Sequence, residues 1–132
     1  MIVVDTSAWV EYLRMTGSPV EQHVLELLEN PRRLAVTEVV VAELLAGASD
    51  ELVPSLRAQL LGLRVLRLRG LRDYEAAAAL SRACRLGGES VRKLSDCLIA
   101  VPAIRAGATI LHADRDFEKL ARHTPLRLEP VS

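Results

Sequence analysis

Short runs of aliphatic residues recur along the chain, and longer segments with helical spacing of apolar residues separate them. The runs lie at 2–4, 34–37, 65–68 and 109–112, with a shorter one at 126–128. Such runs are typical of strands that are buried on both faces of a sheet. Their alternation with helices predicts an α/β fold, a three-layer α/β/α sandwich whose short strands are mostly parallel.

Helical spacing predicts seven helices between and after these strands. They cover 7–14, 20–29, 38–46, 50–61, 74–86, 96–106 and 113–120. In the third, the valines at 39–41 favour a strand by propensity, but Thr37 as a cap and Gly47 as a stop favour a helix. The sixth contains Pro102, which leaves the carbonyl of Leu98 without its helical partner. We therefore expect a kink or break near Leu98.

Length and composition predict a single domain, 1–132, with a hydrophobic core, since half of the 132 residues are apolar. No apolar run approaches the roughly 18 residues that a membrane span requires. Met1 leads directly into the first strand without a basic segment, so we expect no signal peptide. Cys84 and Cys97 lie among apolar neighbours and are expected to be reduced core residues. Together these features predict a cytoplasmic protein.

The chain carries 17 basic and 17 acidic residues, and this balance argues against a strongly basic nucleic-acid binder. Fifteen of the basic residues are arginine, and only Lys93 and Lys119 are lysine. Arginine is the better bidentate ligand of phosphate, although codon bias in a GC-rich genome produces the same excess. The arginine content therefore permits a nucleic-acid partner without predicting one.

Four of the six aspartates follow a predicted strand or begin a predicted helix. They are Asp5, Asp96, Asp114 and Asp116. Asp5 taken alone is explained as the cap of the following helix. Because the carboxyl ends of parallel strands share one edge of a sheet, however, the four are expected to lie close together, within reach of Glu43 on its helix. Crowded carboxylates repel one another, and a divalent cation removes that conflict. Oxygen ligands without a histidine or cysteine set favour Mg²⁺ or Mn²⁺.

The same residues belong to four short motifs that resemble the signatures of PIN-domain ribonucleases. The motifs are Asp-Thr-Ser after the first strand, Glu-Leu at 43–44, Ser-Asp-Cys-Leu-Ile-Ala at 95–100 and Asp-Arg-Asp-Phe at 114–117. No single motif is specific, but the size, order and spacing are similar to those of the VapC toxins of bacterial toxin–antitoxin pairs. The resemblance covers essentially the whole chain.

This resemblance implies endonucleolytic cleavage of a structured RNA, a transfer RNA or a ribosomal RNA loop, with Mg²⁺ or Mn²⁺ as cofactor. The family's core acids match Asp5, Glu43, Asp96 and Asp114, and its frequent fifth acid matches Asp116. All five are expected to be catalytic, and Asp5, Asp96 and Asp114 are the expected metal ligands.

Other residues are expected to support this site or to contact RNA. Thr6 and Ser7 match hydroxyls that support the first acid or a water molecule in the site. Arg92, Lys93 and Arg115 lie near the acidic edge, and each is either a phosphate contact or an ordinary solvated side chain.

The resemblance also implies a cognate VapB-like antitoxin and a homodimer. The predicted helices 7–14, 20–29 and 39–46 offer apolar grooves for an antitoxin segment, although burial in the protein's own core explains most of their leucines. His112 and Pro102 depart from the family pattern. His112 stands where a small or hydroxyl residue is frequent, and a role in positioning substrate remains open.

Three other interpretations remain. A receiver-type phosphoacceptor domain has a similar size and an acidic Mg²⁺ site, but it requires adjacent acids after the first strand and a lysine after the last. A haloacid-dehalogenase-type phosphatase requires Asp-x-Asp, and position 7 is serine. A PIN-like interaction module without catalysis predicts missing acids, and all of them are present.

Overall fold

The computed structural model describes residues 1–131, which form five strands, seven α-helices and one 3-10 turn at Pro31–Arg33. The strands are β1 Ile2–Val4, β2 Leu34–Thr37, β3 Arg64–Leu66, β4 Thr109–Leu111 and β5 Arg127–Leu128. The helices are α1 Thr6–Leu13, α2 Pro19–Glu29, α3 Glu38–Gly47, α4 Val53–Leu61, α5 Leu71–Leu86, α6 Leu94–Arg105 and α7 Asp116–His123.

The strands form one sheet in the order β3-β2-β1-β4-β5, and every pairing is parallel. The chain moves outward from β1 to β3 and then returns to the other side of β1 for β4 and β5. Right-handed crossovers then place α1–α4 on one face of the sheet and α5–α7 on the other. Accordingly, α1 packs against α2 and α3, whereas α5 packs against α6 and α7. The predicted three-layer α/β/α sandwich is confirmed.

All three residues of the central strand β1 are hydrophobic, and the position of the strand explains why. Ile2, Val3 and Val4 are buried, because helices cover both faces of the sheet and β2 and β4 flank the strand. The following helix contributes Trp9, which is also fully buried and packs edge-on against Tyr12.

Three helix starts differ from the prediction by three residues. α4 begins at Val53 rather than at 50, with Pro54 in its first turn, where the missing N–H of proline costs nothing. α5 begins earlier than predicted, at Leu71, because Asp73 in its first turn accepts the Arg69 N–H at 2.6 Å and binds Arg105. α7 begins at Asp116 rather than at 113, and it continues beyond 120, to His123.

A kink or break is expected near Leu98 from the sequence, and the break is wrong, because α6 continues through Pro102 to Arg105 as one helix. Interior proline costs a helix about 3 kcal/mol. The segment Ile99–Ala103 is buried throughout, and this packing offsets the lost hydrogen bond.

Cys84 and Cys97 are buried and unpaired, as predicted. Burial raises the pKa of the Cys97 thiol to about 12, so the thiol stays protonated. In residues 1–131, the helices are too short or too polar to cross a membrane.

The loop between α5 and α6 is fastened to α7 by Glu89. The Arg122 guanidinium donates to both carboxylate oxygens of Glu89, at 2.7 and 2.6 Å, and His123 Nε2 lies 2.9 Å from Oε1. Hydrogen bonds from Arg122 and then from His123 lower the pKa of Glu89 to about 2. The His123 ring also lies against Gly87, where an added Cβ would overlap the imidazole.

We predict that Gly87→Ala destabilises the protein by about 1–3 kcal/mol, because the imidazole of His123 must move away from Glu89. The measurement is urea unfolding at neutral pH. Gly47→Ala is the control, since no atom lies within 4 Å of an added Cβ there. Equal stability of the two variants would contradict the prediction.

Candidate functional site

The predicted acidic residues meet at the carboxyl edge of the sheet, beside the central strands β1 and β4. Val4 pairs with Leu111, so Asp5 and the segment 112–116 leave the sheet side by side. The chain adds β2 and β3 on one side of β1 and then adds β4 and β5 on the other side. The point between β1 and β4 where the strand order switches forms a crevice in open α/β sheets.

Asp5 has two oxygens in different environments. Oδ2 caps α1 by accepting from the Ser7 N–H at 2.9 Å and from Ser7 Oγ at 2.6 Å. Oδ1 is buried and has no partner among residues 1–131. Burial raises the pKa of Asp5, and the hydrogen bonds from Ser7 oppose that shift. Capping therefore uses one oxygen and leaves the other available to a ligand.

Asp96 lies in the first turn of α6 and is 2% exposed. Its Oδ2 is likewise buried without a partner in the described part of the chain. Burial, and then the nearby charge of Asp5, raise the pKa of Asp96 to about 7, while Lys93 opposes the shift. A carboxyl group whose pKa is raised by burial and by a neighbouring acid is typical of functional sites.

Asp114 lies in the turn between β4 and α7, and Asp116 is the first residue of α7. The Asp116 N–H donates to Asp114 Oδ1 at 3.0 Å, and the Asp114 N–H donates to His112 Nδ1 at 3.1 Å. His112 therefore orients the turn, and its ring packs against Phe117. Asp96, Asp114 and Asp116 each offer an oxygen within 4.8 Å of the others. Asp5 does not join this group of three at that distance.

Three cations contact the Asp114–Asp116 side of the cluster. The Arg92 side chain donates to Asp114 Oδ1 and Asp116 Oδ2, both at 3.2 Å, and its backbone N–H donates to Asp116 at 3.0 Å. Lys93 Nζ lies 3.7 Å from Asp114, and Lys119 Nζ lies 3.0 Å from Asp116. Although burial alone would raise the pKa of Asp116, the hydrogen bonds from Arg92 and Lys119 lower it. Sequence analysis missed Lys119, whose only signal is its i,i+3 spacing from Asp116.

The remaining predicted residues border the cluster. Thr6 Oγ1 donates to Glu43 Oε1 at 2.7 Å, and the charge of Glu43 contributes to the raised pKa of Asp5. Ser7 Oγ accepts the Ala113 N–H at 2.9 Å, so Ser7 joins the ends of β1 and β4. Arg115 is exposed and lines an open groove with Arg92 and Lys119.

The donor set fits a hard divalent cation. The two unpartnered oxygens of Asp5 and Asp96 are buried, and an anionic oxygen without a partner is costly in such a place. The surrounding donors of Asp114 and Asp116 are also carboxylates, which bind cations such as Mg²⁺ or Mn²⁺.

Known proteins share both the sequence and the fold of this chain. Residues 2–123 match the sequence profile of the PIN domain. The chain is 46% identical over 129 residues to the VapC ribonuclease Mb1587 of Mycobacterium bovis and to the ribonuclease VapC11 of Mycobacterium tuberculosis, with 96% of each chain covered. The Rickettsia felis VapBC2 crystal structure, bound to a promoter DNA fragment, contains a chain with the same fold, at 22% identity, a TM-score of 0.71 and 98% coverage of both chains.

The profile match covers nearly all of the chain, and the mycobacterial relatives align with it almost from end to end. This result excludes the receiver and haloacid-dehalogenase interpretations. The chain belongs to the PIN domain family.

Proposed function

We propose that the chain is a metal-dependent endoribonuclease and the toxin of a toxin–antitoxin pair. The observation that carries this proposal is the pair of buried, unpartnered carboxylate oxygens on Asp5 and Asp96, which lie beside two further acids in a PIN-domain chain. The high identity to proteins named VapC ribonuclease supports the same activity. We place this activity on a single PIN-like domain in the cytoplasm and expect a structured RNA, a transfer RNA or a ribosomal RNA loop, as substrate.

The proposed cofactor is Mg²⁺ or Mn²⁺, held by Asp5, Asp96 and Asp114. A cation bound there would polarise phosphate oxygens and lower the pKa of a coordinated water molecule. Asp116 accepts a hydrogen bond from Arg92 and forms an ion pair with Lys119, so it also holds these two basic side chains at the rim of the site. Asp116 lies in the compact group with Asp96 and Asp114, and its distance from them also suits a metal ligand.

The other side chains position the acids and the RNA. Ser7 fixes the carboxylate plane of Asp5 through Oδ2, and Thr6 holds Glu43 at the border of the site. Glu43 is half-buried, and a carboxylate in that position is suited to accept a proton from attacking water. Arg92, Lys93 and Arg115 surround the acids at the surface, where they are suited to bind phosphates on either side of the cleaved bond.

We propose a VapB-like antitoxin as partner of a homodimeric toxin. An open groove of about 520 Å³ lies between α1, α3 and α4, and its apolar lining includes Val10, Leu13, Leu44 and Leu56. Thr6 and Glu43 line the same groove, so a helical antitoxin segment bound there would reach the acidic site. Of the predicted surfaces, helices 7–14 and 39–46 contribute to this groove, whereas Leu25 of α2 lines a separate one.

The first test is RNA cleavage by purified protein with Mg²⁺, with Mn²⁺ and with EDTA, followed by mapping of the cut ends on total RNA. We expect discrete fragments with 5′-phosphates that disappear in EDTA. Asp5→Asn and Asp96→Asn should each lower the rate by about 100-fold or more, because each removes an anionic oxygen from the site.

Asp50→Asn is the matched control, since Asp50 is an exposed acid outside the site. Equal cutting by wild type and Asp5→Asn would mean a contaminating nuclease or a wrong assignment of the site. A folded wild-type protein that binds Mn²⁺ but cuts no RNA would instead support a PIN-like interaction module.

Stability in EDTA should depend on pH through Asp96. Its pKa is about 7 in the folded protein and about 4 in an unfolded chain, so the folded state retains a proton that the unfolded state releases. The free energy of unfolding therefore falls as pH rises from about 4 to 7, by up to about 4 kcal/mol. The Asp96→Asn variant has no titrating group at this position. Its free energy of unfolding should therefore exceed that of wild type by an amount that grows as pH rises across this range. Urea unfolding between pH 5 and 8 measures the difference, and parallel profiles would exclude this origin.

Arg92 should compete with the cation for Asp114 and Asp116. Arg92→Gln is expected to tighten Mn²⁺ binding about 2- to 5-fold, which corresponds to the small free energy of an ion pair whose arginine is exposed. It is also expected to lower the melting temperature in EDTA. Calorimetric titration of the protein with Mn²⁺ alone measures the affinity. Arg115→Gln is the control, because Arg115 lines the same groove without pairing to an acid in the described chain. Weaker Mn²⁺ binding by Arg92→Gln would contradict the prediction.

A further inference from the structure

The arginines of the chain are unevenly distributed along the sequence. The longest stretch without an acidic residue runs from Leu52 to Arg72, and it contains five arginines. Three of them, Arg64, Arg67 and Arg69, lie on β3 and on the segment that leaves it. All three side chains are exposed, and we call them the β3 arginine patch.

The β3 arginine patch borders an open groove of about 530 Å³. The opposite wall is the C-terminal end of α6, with Pro102, Arg105 and Ala106, and no acidic side chain lines the groove. Arg105 is fixed, because it binds Asp73 and donates to the Arg67 carbonyl at 3.3 Å.

Two acids beside the patch are already engaged. Asp73 is bound by Arg105 and by the Arg69 N–H, and Glu38 accepts the Leu68 N–H at 2.7 Å. Within the described chain, the side chains of the patch itself form neither hydrogen bonds nor ion pairs. Arg64 and Arg67 are therefore free to bind an external anion, and the charge of Arg69, which also acts on Asp73, forms no ion pair there.

The register of the sheet places Arg67 and Arg69 beyond the edge on which the acidic site lies, whereas Arg64 begins β3 level with Val3. Leu66 pairs with Thr37 of β2, and Val3 of β1 pairs with Ala35, so Leu66 and Asp5 are level across the sheet. They are two strands apart, which corresponds to about 10 Å. Arg67 and Arg69 follow Leu66 directly, beyond the carboxyl end of β3.

We infer that the β3 arginine patch binds the sugar–phosphate backbone of the RNA that is cleaved at the acidic site. This inference rests on the proposed nuclease function. The chain has no net charge, and its acidic site repels phosphates, so local cations must supply the attraction. Guanidinium groups bind phosphate in a bidentate manner, and the spacing of two strands between the end of β3 and Asp5 suits an RNA strand that continues past the cleaved bond.

An alternative role follows from the position of β3 at the edge of the sheet. Charged side chains on an edge strand prevent pairing with a second copy of the chain. In that case, removing the arginines would change the oligomeric state and leave RNA binding by the monomeric unit intact. The two roles therefore predict different measurements.

The test compares Arg67→Gln/Arg69→Gln with Arg32→Gln/Arg33→Gln. Both double variants remove two exposed positive charges, but Arg32 and Arg33 precede β2, at the opposite edge of the sheet. The probe is a fluorescein-labelled 30-nucleotide RNA hairpin in EDTA, where no cleavage occurs, titrated at several KCl concentrations. The patch variant should bind about 10-fold more weakly at 100 mM salt, with a salt slope reduced by about 1.5. The control should bind like wild type.

A charge-retaining variant, Arg67→Lys/Arg69→Lys, should keep most of the salt slope, which separates phosphate binding from a loss of folding. Identical binding by the two glutamine variants, or a changed elution volume of the patch variant with wild-type RNA affinity, would overturn the inference. Cleavage by wild type in Mn²⁺ is measured separately. If the patch variant loses RNA binding, the role of the patch is supported even if wild type cuts no RNA. If wild type cuts RNA and the patch variant binds RNA normally, the role of the patch is refuted and the nuclease function stands.

Discussion

The burial of Asp5 and Asp96 beside each other is the constraint on which the site depends. Asp5 must follow the central strand, and its Oδ2 is committed to capping α1 through Ser7. Asp96 enters the same crevice from the first turn of α6. Each leaves one buried oxygen without a partner, and such oxygens favour a protonated carboxyl group or a bound cation. The fold thus maintains a charge conflict that a divalent ion resolves.

The positive side chains of the chain resolve only part of this conflict. Arg92 and Lys119 satisfy Asp116, which is consistent with its lowered pKa, whereas the pKa of Asp5 and of Asp96 is raised. The cluster is therefore divided into a compensated side near α7 and an uncompensated side between β1 and α6. A cation that enters the uncompensated side gains most from its charge there, and it competes with Arg92 for Asp114 and Asp116.

The sequence was most informative where chemistry is local. Asp5, Asp96 and Asp114 could be placed because strand ends and helix caps have short-range signals, and these positions share one edge of any parallel sheet. The course of α6 through Pro102 depends on burial by distant elements, so local propensity predicted a break that is absent. The contact from Arg92 to Asp116 spans 24 residues and requires the loop that Glu89 fastens to α7, which no local pattern encodes.

Net charge proved a poor guide to the surface, because the opposite charges are separated in space. The acids gather where β1 and β4 end, and an acid-free stretch with five arginines leads to β3 and away from it. A polyanion near this protein therefore meets repulsion at the acidic site and attraction about two strands away. A cation in the site reverses the first of these effects, so metal binding and RNA binding should be coupled. Such coupling would let a protein without net charge bind a polyanion more tightly when its metal is present.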